Sequence, residues 1–234
     1  MEHDIVYEQI AYYRARAEEY DESIYQVGCY ASPGESNEGL GELEVALHTL
    51  GTLRPVEDIL ELACGTGIWT KELLKIGHTV RTLTAIDASP EMLHINSRKV
   101  ADRRVRYQLA DLFTWEPEAD QHYDLVFFAF WLSHVPPEHL DTFLTKVQRS
   151  VRSGGQLFIV DQYAPMQEDL LCAHDDIYSK RPLHDGREFT IVKVFYDLTA
   201  LKDKLTRLGF DVSIQKIGDY FFTLSGTLYQ AILT

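Results

Sequence analysis

The chain has 234 residues, and its 36 acidic against 22 basic side chains give a formal net charge of −14. A surface this acidic repels phosphate backbones and anionic lipids, which disfavours nucleic acids and membranes as partners. The composition, 45% hydrophobic, is that of a globular protein long enough to bury its own core. Three widely spaced cysteines and an acidic N-terminus predict a cytoplasmic protein without a disulfide framework or zinc site.

The first 54 residues predict a helical cap. Apolar side chains recur at helical spacing over residues 4–22 and 41–53, and Pro55 ends the second helix. Between these helices, the segment 32–34 (Ser-Pro-Gly) marks a loop. We expect residues 1–54 to form the cap, and residues 55–234 to fold as a single globular domain.

From residue 55 onward, short apolar runs alternate with amphipathic segments, which predicts an α/β fold with a doubly wound sheet covered on both faces. The predicted strands are residues 58–63, 79–86, 105–109, 123–130, 156–160, 212–217 and 221–232. The predicted helices are residues 68–76, 90–101, 137–151 (closed by Gly154 and Gly155) and 198–208 (capped by Gly209). The polar segment 161–197 is predicted to be an insertion over the sheet, strand-like at residues 188–195.

The sharpest local pattern is the segment 59–67, Ile-Leu-Glu-Leu-Ala-Cys-Gly-Thr-Gly, in which a strand runs into a glycine turn before a helix. Gly65 and Gly67 permit a tight turn and the close approach of a ligand. The helix that follows offers unpaired N–H groups at its start. A dinucleotide site would have a third glycine where this chain has Thr70, and Glu61 is a poor neighbour for pyrophosphate.

Two further acids follow the next two predicted strands. Asp87 lies 20 residues beyond Gly67, where a carboxylate can hydrogen-bond ribose hydroxyls. Asp111 follows the third strand, where a carboxylate can accept a bond from an exocyclic amine such as that of adenine. Together with Glu61, they suit an adenosine that carries an amino acid rather than phosphates.

The chain resembles class I S-adenosylmethionine-dependent methyltransferases over most of its length. The resemblance rests on a series of motifs in the family's order, at residues 61–67, 87–92, 110–112, 123–130 and 154–158. It implies a seven-stranded Rossmann-like sheet with an antiparallel last strand, S-adenosylmethionine as cofactor and S-adenosylhomocysteine as product. Ala63 departs from the pattern, because many members of the family have glycine there.

The resemblance also implies roles for individual residues. The backbone around Ala63, Gly65 and Gly67 would lie against the methionine part of the cofactor, with Glu61 supporting the loop, and Asp87 would hold the ribose. The other implied cofactor contacts are Ala88, Met92 (adenine ring), Asp111 and Leu112 (adenine amine), Phe130 (near the sulfonium), and Tyr13 and Tyr20 (on an N-terminal helix that folds over the cofactor in many relatives).

Each assignment has a structural alternative. Glycines also serve tight turns, Asp87 would simply cap the helix that begins at Pro90, and Asp111 would be a plain turn residue. Tyr13 and Tyr20 at helical spacing would belong to the core. The occurrence of all these motifs in the family's order favours the functional interpretation.

Methyl transfer from a sulfonium needs positioning and exclusion of water, and a base only if the nucleophile arrives protonated. We take His134, after the fourth strand, as the catalytic candidate, with Asp161 and Tyr163 as other candidate bases. The alternative for His134 is a bond to loop backbone. His174, His184 and Arg187 of the insertion would bind an acceptor or belong to a solvated loop.

Motifs that are absent narrow the acceptor. The fourth strand is followed neither by Asn/Asp-Pro-Pro-Tyr/Phe nor by the aspartate of a metal-dependent catechol-type site. We therefore expect no metal, and an oxygen or nitrogen of a small-molecule acceptor. A non-catalytic cofactor-binding module, a protein-directed methyltransferase and a nicotinamide-dependent oxidoreductase stay as alternatives. The sequence is compatible with a monomer or a homodimer.

Overall fold

The secondary structure comes from a computed structural model that describes residues 2–24, 38–76, 79–166, 169, 173–175 and 177–229. The helices are α1 Glu2–Ala15, α2 Tyr20–Ile24, α3 Glu38–Gly51, α4 Ile68–Leu73, α5 Pro90–Val100, α6 Pro137–Ser150 and α7 Leu198–Arg207. The strands are β1 Asp58–Leu62, β2 Thr82–Asp87, β3 Val105–Leu109, β4 Tyr123–Ala129, β5 Val151–Gln162, β6 Ala173–Asp175, β7 Tyr178–Pro182, β8 Glu188–Val192, β9 Phe210–Ile217 and β10 Phe221–Leu228. The predicted loop at 32–34, two of the cysteines (Cys29 and Cys172) and residues 230–232 of the last predicted strand lie outside the described residues.

Seven strands form the main sheet, in the order β3-β2-β1-β4-β5-β10-β9. Strand β10 is antiparallel to both of its neighbours, and the pairs among the first five strands are parallel. This confirms the predicted α/β fold with a seven-stranded sheet and an antiparallel last strand. Leu62 pairs with Ile86 and Asp87 with Leu109, so the segments that follow β1, β2 and β3 emerge at one edge of the sheet.

The sheet is covered on both faces, as the apolar character of β4 predicts. Leu125 and Phe127 of β4 pack in a core with helices α3 and α4, whereas Val126 and Phe128 pack in a second core with α6 and α7. All four side chains are fully buried, which is the pattern of a central parallel strand. No helix in the described part of the chain has the length and apolarity needed to cross a membrane.

Two predicted elements differ from the structure by more than a shift of a few residues at their ends. Gly154 and Gly155 do not separate a helix from a strand, because β5 already begins at Val151. Between the pairs Tyr123–Val151 and Leu125–Gln156, β5 has three more residues than β4, and the glycines belong to this bulge. The predicted helix over residues 4–22 is interrupted, because residues 16–19 form a turn between α1 and α2.

The insertion forms a small antiparallel sheet, β6-β7-β8, and helix α1 packs against its strand β8. The Val192 amide of β8 donates to Gln9 Oε1 (3.1 Å), and Gln9 Nε2 donates to the backbone oxygen of His134 (3.1 Å). The side chain of Gln9 therefore joins the first helix, the insertion and the turn after β4. The division into residues 1–54 and 55–234 stays a prediction.

Candidate active site

The turn between β1 and α4 is held in an unusual backbone conformation. Ala63 and Gly65 both have φ of +52°, and Gly67, the residue before α4, has φ of +89°. The left-handed region costs a residue with a Cβ roughly 1–2 kcal/mol. Ala63 therefore has a strained backbone, whereas Gly65 and Gly67 adopt this region without that cost. Strain of this kind concentrates where a loop is shaped for a ligand.

The two glycines of this turn have different surroundings. Gly65 lines a cleft, and a Cβ added there would lie 3.9 Å from Cε1 of Tyr20. Gly67 does not line the cleft. A Cβ on Gly67 would lie 2.5 Å from Oδ1 of Asn96, so this glycine is required by the packing of helix α5 rather than by ligand approach.

The side chain of Asn96, on helix α5, fixes the glycine turn by hydrogen bonds. No local sequence motif indicates these bonds. The side-chain amide of Asn96 is fully buried and donates to the oxygens of Gly65 (3.2 Å) and Thr70 Oγ1 (3.0 Å), and its Oδ1 accepts from Tyr107 (2.8 Å). Thr70 in turn donates to Glu61 (2.7 Å). The glycine turn is therefore fixed by a continuous buried hydrogen-bond network.

Glu61 belongs to this network and does not line the cleft. Only 1% of its surface is exposed, and burial raises the pKa of its carboxyl to about 8 against the lowering effect of the Thr70 hydroxyl. The predicted support of the loop by Glu61 is thus made through Thr70 and Asn96.

Asp87 lines the cleft at the end of β2. Its Oδ2 accepts from the Gly65 amide and its Oδ1 from the Ser89 amide, both at 2.9 Å. Burial raises the pKa of Asp87 to about 6, and these backbone bonds act in the opposite direction. The N-cap of α5 is Ser89, whose Oγ accepts from the Met92 amide (3.1 Å), so the capping alternative for Asp87 is wrong.

Asp111 also lines the cleft, next to Leu112. Its Oδ1 accepts from the Phe113 amide (2.9 Å), which fixes the turn after β3. Asp111 is therefore a turn residue, as the structural alternative has it. The same turn bond holds its carboxylate at the rim of the cleft, where the functional interpretation requires it.

Aromatic side chains surround the other part of the cleft, where Tyr13, Tyr20, Phe130 and Trp131 line it. Phe130 follows β4 with φ of +53°, a further strained position at this site. Its ring centroid lies 5.7 Å from that of Phe221 and 6.4 Å from that of Trp69. The interpretation of Tyr13 and Tyr20 as core residues alone does not hold, because both face the cleft.

His134 lies in a short 3₁₀ turn, Leu132–His134, and both of its ring nitrogens have partners. Nδ1 lies 2.7 Å from the oxygen of Val192, and Nε2 lies 2.8 Å from the hydroxyl of Tyr13. Burial, together with the nearby Lys193 ammonium, lowers the pKa of His134 to about 3. The imidazole is therefore neutral at physiological pH.

A buried cluster of charges lies behind His134. Arg181 donates to Asp169 (2.5 Å), and Lys193 donates to Gln162 and lies 4.0 Å from Asp169. Asp161 accepts from the Ser133 amide (3.2 Å), and burial raises the pKa of its carboxyl. The cluster links the insertion to the end of β5, so Asp161 is engaged in structure rather than exposed as a base.

The cleft lies between helices α1 and α2 and the edge of the sheet where β1, β2, β3 and β4 end. It brings together eleven of the thirteen predicted site residues, and Glu61 and Gly67 are the two left outside. Five lining residues are not among the predicted site residues: Gln9, Ile10, Ser89, Ala129 and Trp131. Ala129 and Trp131 flank Phe130, and Ser89 lies two residues after Asp87, so position along the chain could have indicated these three. Gln9 and Ile10 lie one helical turn before Tyr13, on the same face of α1.

Comparison with known proteins identifies the class. Residues 59–155 match the family model described as "Methyltransferase domain". The structure of DhpI with S-adenosylhomocysteine (SAH) is 32% identical, with a TM-score of 0.78 over 98% of this chain and 99% of that one. A complex of DhpI with S-adenosylmethionine (SAM) and a ligand designated HEP is 33% identical, with a TM-score of 0.79 over 95% and 97% of the chains.

Curated relatives match over shorter segments. A ubiquinone/menaquinone biosynthesis C-methyltransferase of Shewanella halifaxensis is 29% identical over 134 residues, which are 56% of this chain and 52% of that protein. A malonyl-[acyl-carrier protein] O-methyltransferase of a Paenibacillus species is 34% identical over 106 residues, 42% and 36% of the two chains. The chain thus spans about half the length, or less, of these curated relatives.

The fold, the strand-end acids around a glycine turn and these matches together define a class I S-adenosylmethionine-dependent methyltransferase, and the chain belongs to this family. It is an enzyme, and S-adenosylmethionine is its cofactor. The cleft fits that group, since it offers carboxylates for hydroxyl and amine donors at one part and aromatic surfaces for a sulfonium at another. Membership of this family argues against the nicotinamide alternative.

Proposed function

We propose that the enzyme transfers the methyl group of S-adenosylmethionine to an oxygen or nitrogen of a small-molecule acceptor. The observation that carries this proposal is the enclosure of the cleft. Gln9, Ile10 and Tyr13 of α1, together with Tyr20 of α2, line it along with the sheet-edge residues. Because α1 is itself bonded to strand β8, a small acceptor suits this space better than a macromolecular one.

The predicted cofactor contacts are retained as part of the proposal. Asp87 would accept bonds from the ribose hydroxyls, and Asp111 from the adenine amine, beside Leu112. Ala88 and Met92 would face the adenine ring, and the backbone of Ala63 and Gly65 the methionine part. The lining of one cleft by all of these residues supports the arrangement. The bound cofactor supplies a methyl group already activated by its sulfonium, so the protein's task is alignment and exclusion of water.

The acceptor chemistry is constrained by the bases that the cleft contains. His134 as the general base stays a prediction, and the Tyr13 hydroxyl already occupies its Nε2 at 2.8 Å. With its pKa at about 3, His134 is a poor acceptor for the proton of an alcohol. We infer an acceptor atom whose lone pair is free at neutral pH, as in an ionised oxygen acid or a weakly basic aromatic nitrogen, because an alkyl amine would arrive protonated.

A second candidate is transfer to carbon. The Shewanella relative is named as a C-methyltransferase and the Paenibacillus relative as an O-methyltransferase, so the fold serves both kinds of atom. The complex of DhpI with S-adenosylmethionine and HEP contains a further ligand in addition to S-adenosylmethionine. That precedent supports a compact acceptor site.

The test is transfer of isotope-labelled methyl from S-adenosylmethionine into a cell extract that has been separated into small-molecule and macromolecular fractions. We expect label in the small-molecule fraction, with the methyl carbon bonded to oxygen or nitrogen by NMR. The Asp87→Ala variant, in which we expect weaker cofactor binding, serves as the control. Label on carbon would favour the second candidate, and label in protein or nucleic acid would overturn the small-molecule proposal.

A further inference from the structure

The other hydrogen-bond partner of His134 decides whether Tyr13 or His134 is the donor in the bond between them. The Val192 oxygen can only accept, so the bond at 2.7 Å places the proton of His134 on Nδ1. In the neutral imidazole, Nε2 then carries a lone pair and no proton. The Tyr13 hydroxyl, 2.8 Å away, must therefore be the donor.

The consequence is an oriented tyrosine. Because the hydroxyl proton of Tyr13 points to His134, only lone pairs of its oxygen remain for a third partner. Tyr13 lines the cleft, and its ring meets those of Tyr20 (6.3 Å between centroids, edge-on) and His134 (5.5 Å, edge-on). Gln9 fixes the same turn by binding the His134 oxygen. This part of the cleft therefore offers negative electrostatic surface at a fixed place.

We propose that Tyr13 is the residue that contacts the positively charged, methyl-bearing sulfonium of the cofactor, and that His134 is a positioning residue that keeps the hydroxyl proton turned away from it. The inference rests on the proposed placement of the cofactor, in which Asp87 and Asp111 hold the ribose and adenine. The sulfonium then lies toward the aromatic part of the cleft, where an oxygen lone pair attracts the polarised methyl hydrogens.

The nearby arginines neither ionise Tyr13 nor take its place on the cleft wall. The guanidinium groups of Arg16 and Arg181 are near enough to favour its ionised form, but burial dominates and keeps its pKa well above the usual value, so the hydroxyl stays protonated. Neither arginine lines the cleft. Within the described part of the chain, Tyr13 thus combines an oriented hydroxyl oxygen with a position on the cleft wall.

Calorimetric titration with S-adenosylmethionine and S-adenosylhomocysteine tests the proposal, because only the first carries the methyl group and the charge. In Tyr13→Phe we expect the preference for S-adenosylmethionine over S-adenosylhomocysteine to fall by roughly fivefold, the worth of one weak contact. His134→Phe, which frees the hydroxyl to rotate, should lower the preference in the same direction. Tyr12→Phe, on the same helix but outside the cleft lining, should leave it unchanged.

Equal weakening of both ligands in Tyr13→Phe would overturn this inference while leaving the cofactor site intact. Failure of the native protein to bind either ligand would instead remove the cofactor placement, and the inference with it. A second measurement needs no ligand: ¹⁵N NMR of labelled histidine, with His134 assigned by its loss in His134→Phe. We expect the Nδ1–H tautomer, and the Nε2–H tautomer would contradict the proposed proton direction.

Discussion

Replacing Gly67 with alanine should destabilise the protein more than its backbone conformation alone requires. An L-residue at φ of +89° costs roughly 1–2 kcal/mol. The new Cβ would also lie 2.5 Å from Oδ1 and 2.7 Å from Cγ of Asn96, and 3.0 Å from Cγ2 of Val100. Forcing a methyl into such packing costs about 1–3 kcal/mol more, so we expect a total loss of roughly 2–5 kcal/mol.

The chain offers a matched control for this experiment. Gly186 has a similar φ of +85°, but a Cβ there would meet nothing within 4 Å. Gly186→Ala therefore measures the backbone cost, and the difference between the two variants measures the clash with Asn96. Urea unfolding of both variants gives the two free energies. If Gly67→Ala is no less stable than Gly186→Ala, the packing of Asn96 against the glycine turn is not as described.

Three further predictions concern residues around the same turn. The pKa of Glu61 is about 8 in the folded protein, against 4.5 for an ordinary glutamate carboxyl. The free energy of unfolding should therefore fall as pH rises between these two values, because the folded protein binds the proton more tightly than the unfolded chain. Glu61→Gln should flatten this pH dependence in urea unfolding. Ala63→Gly should be neutral or stabilising by up to about 1 kcal/mol in the same assay, because it relieves a φ of +52°. Asp21→Asn removes the negative charge that pairs with the Lys99 ammonium, and it weakens the bond from the Thr66 hydroxyl, which the amide oxygen can still accept. Stopped-flow release of S-adenosylmethionine should therefore speed up, by at most about fivefold; an unchanged rate would show that this ion pair does not hold α2 over the cleft.

The features that sequence predicted well are local ones. An apolar run predicts the strand that ends in Asp87. Turn residues and a proline in the first turn predict the helix that starts at Pro90. Asp87, Asp111 and Gly65 could be placed at one edge because parallel strands end together. Their position along the chain was therefore enough to bring them into one cleft.

What sequence could not predict depends on contacts between distant segments. Gln9 reaches the turn of His134, 125 residues away, and neither residue carries a pattern that indicates the other. Asn96 looks like an ordinary polar residue on a helix, yet it is fully buried beneath the glycine turn. The neutral state of His134 likewise arises from burial and from Lys193, which only the folded chain brings close.

The central claim, that the strand-end acids hold S-adenosylmethionine, is tested most directly by calorimetric titration of the native protein and of Asp87→Ala. The native protein should bind S-adenosylmethionine and S-adenosylhomocysteine but not a reduced nicotinamide cofactor. Loss of charge-assisted bonds to the ribose should cost Asp87→Ala about 1.5–3 kcal/mol, a roughly ten- to hundredfold weaker affinity. An unchanged dissociation constant in a folded Asp87→Ala variant would contradict the account.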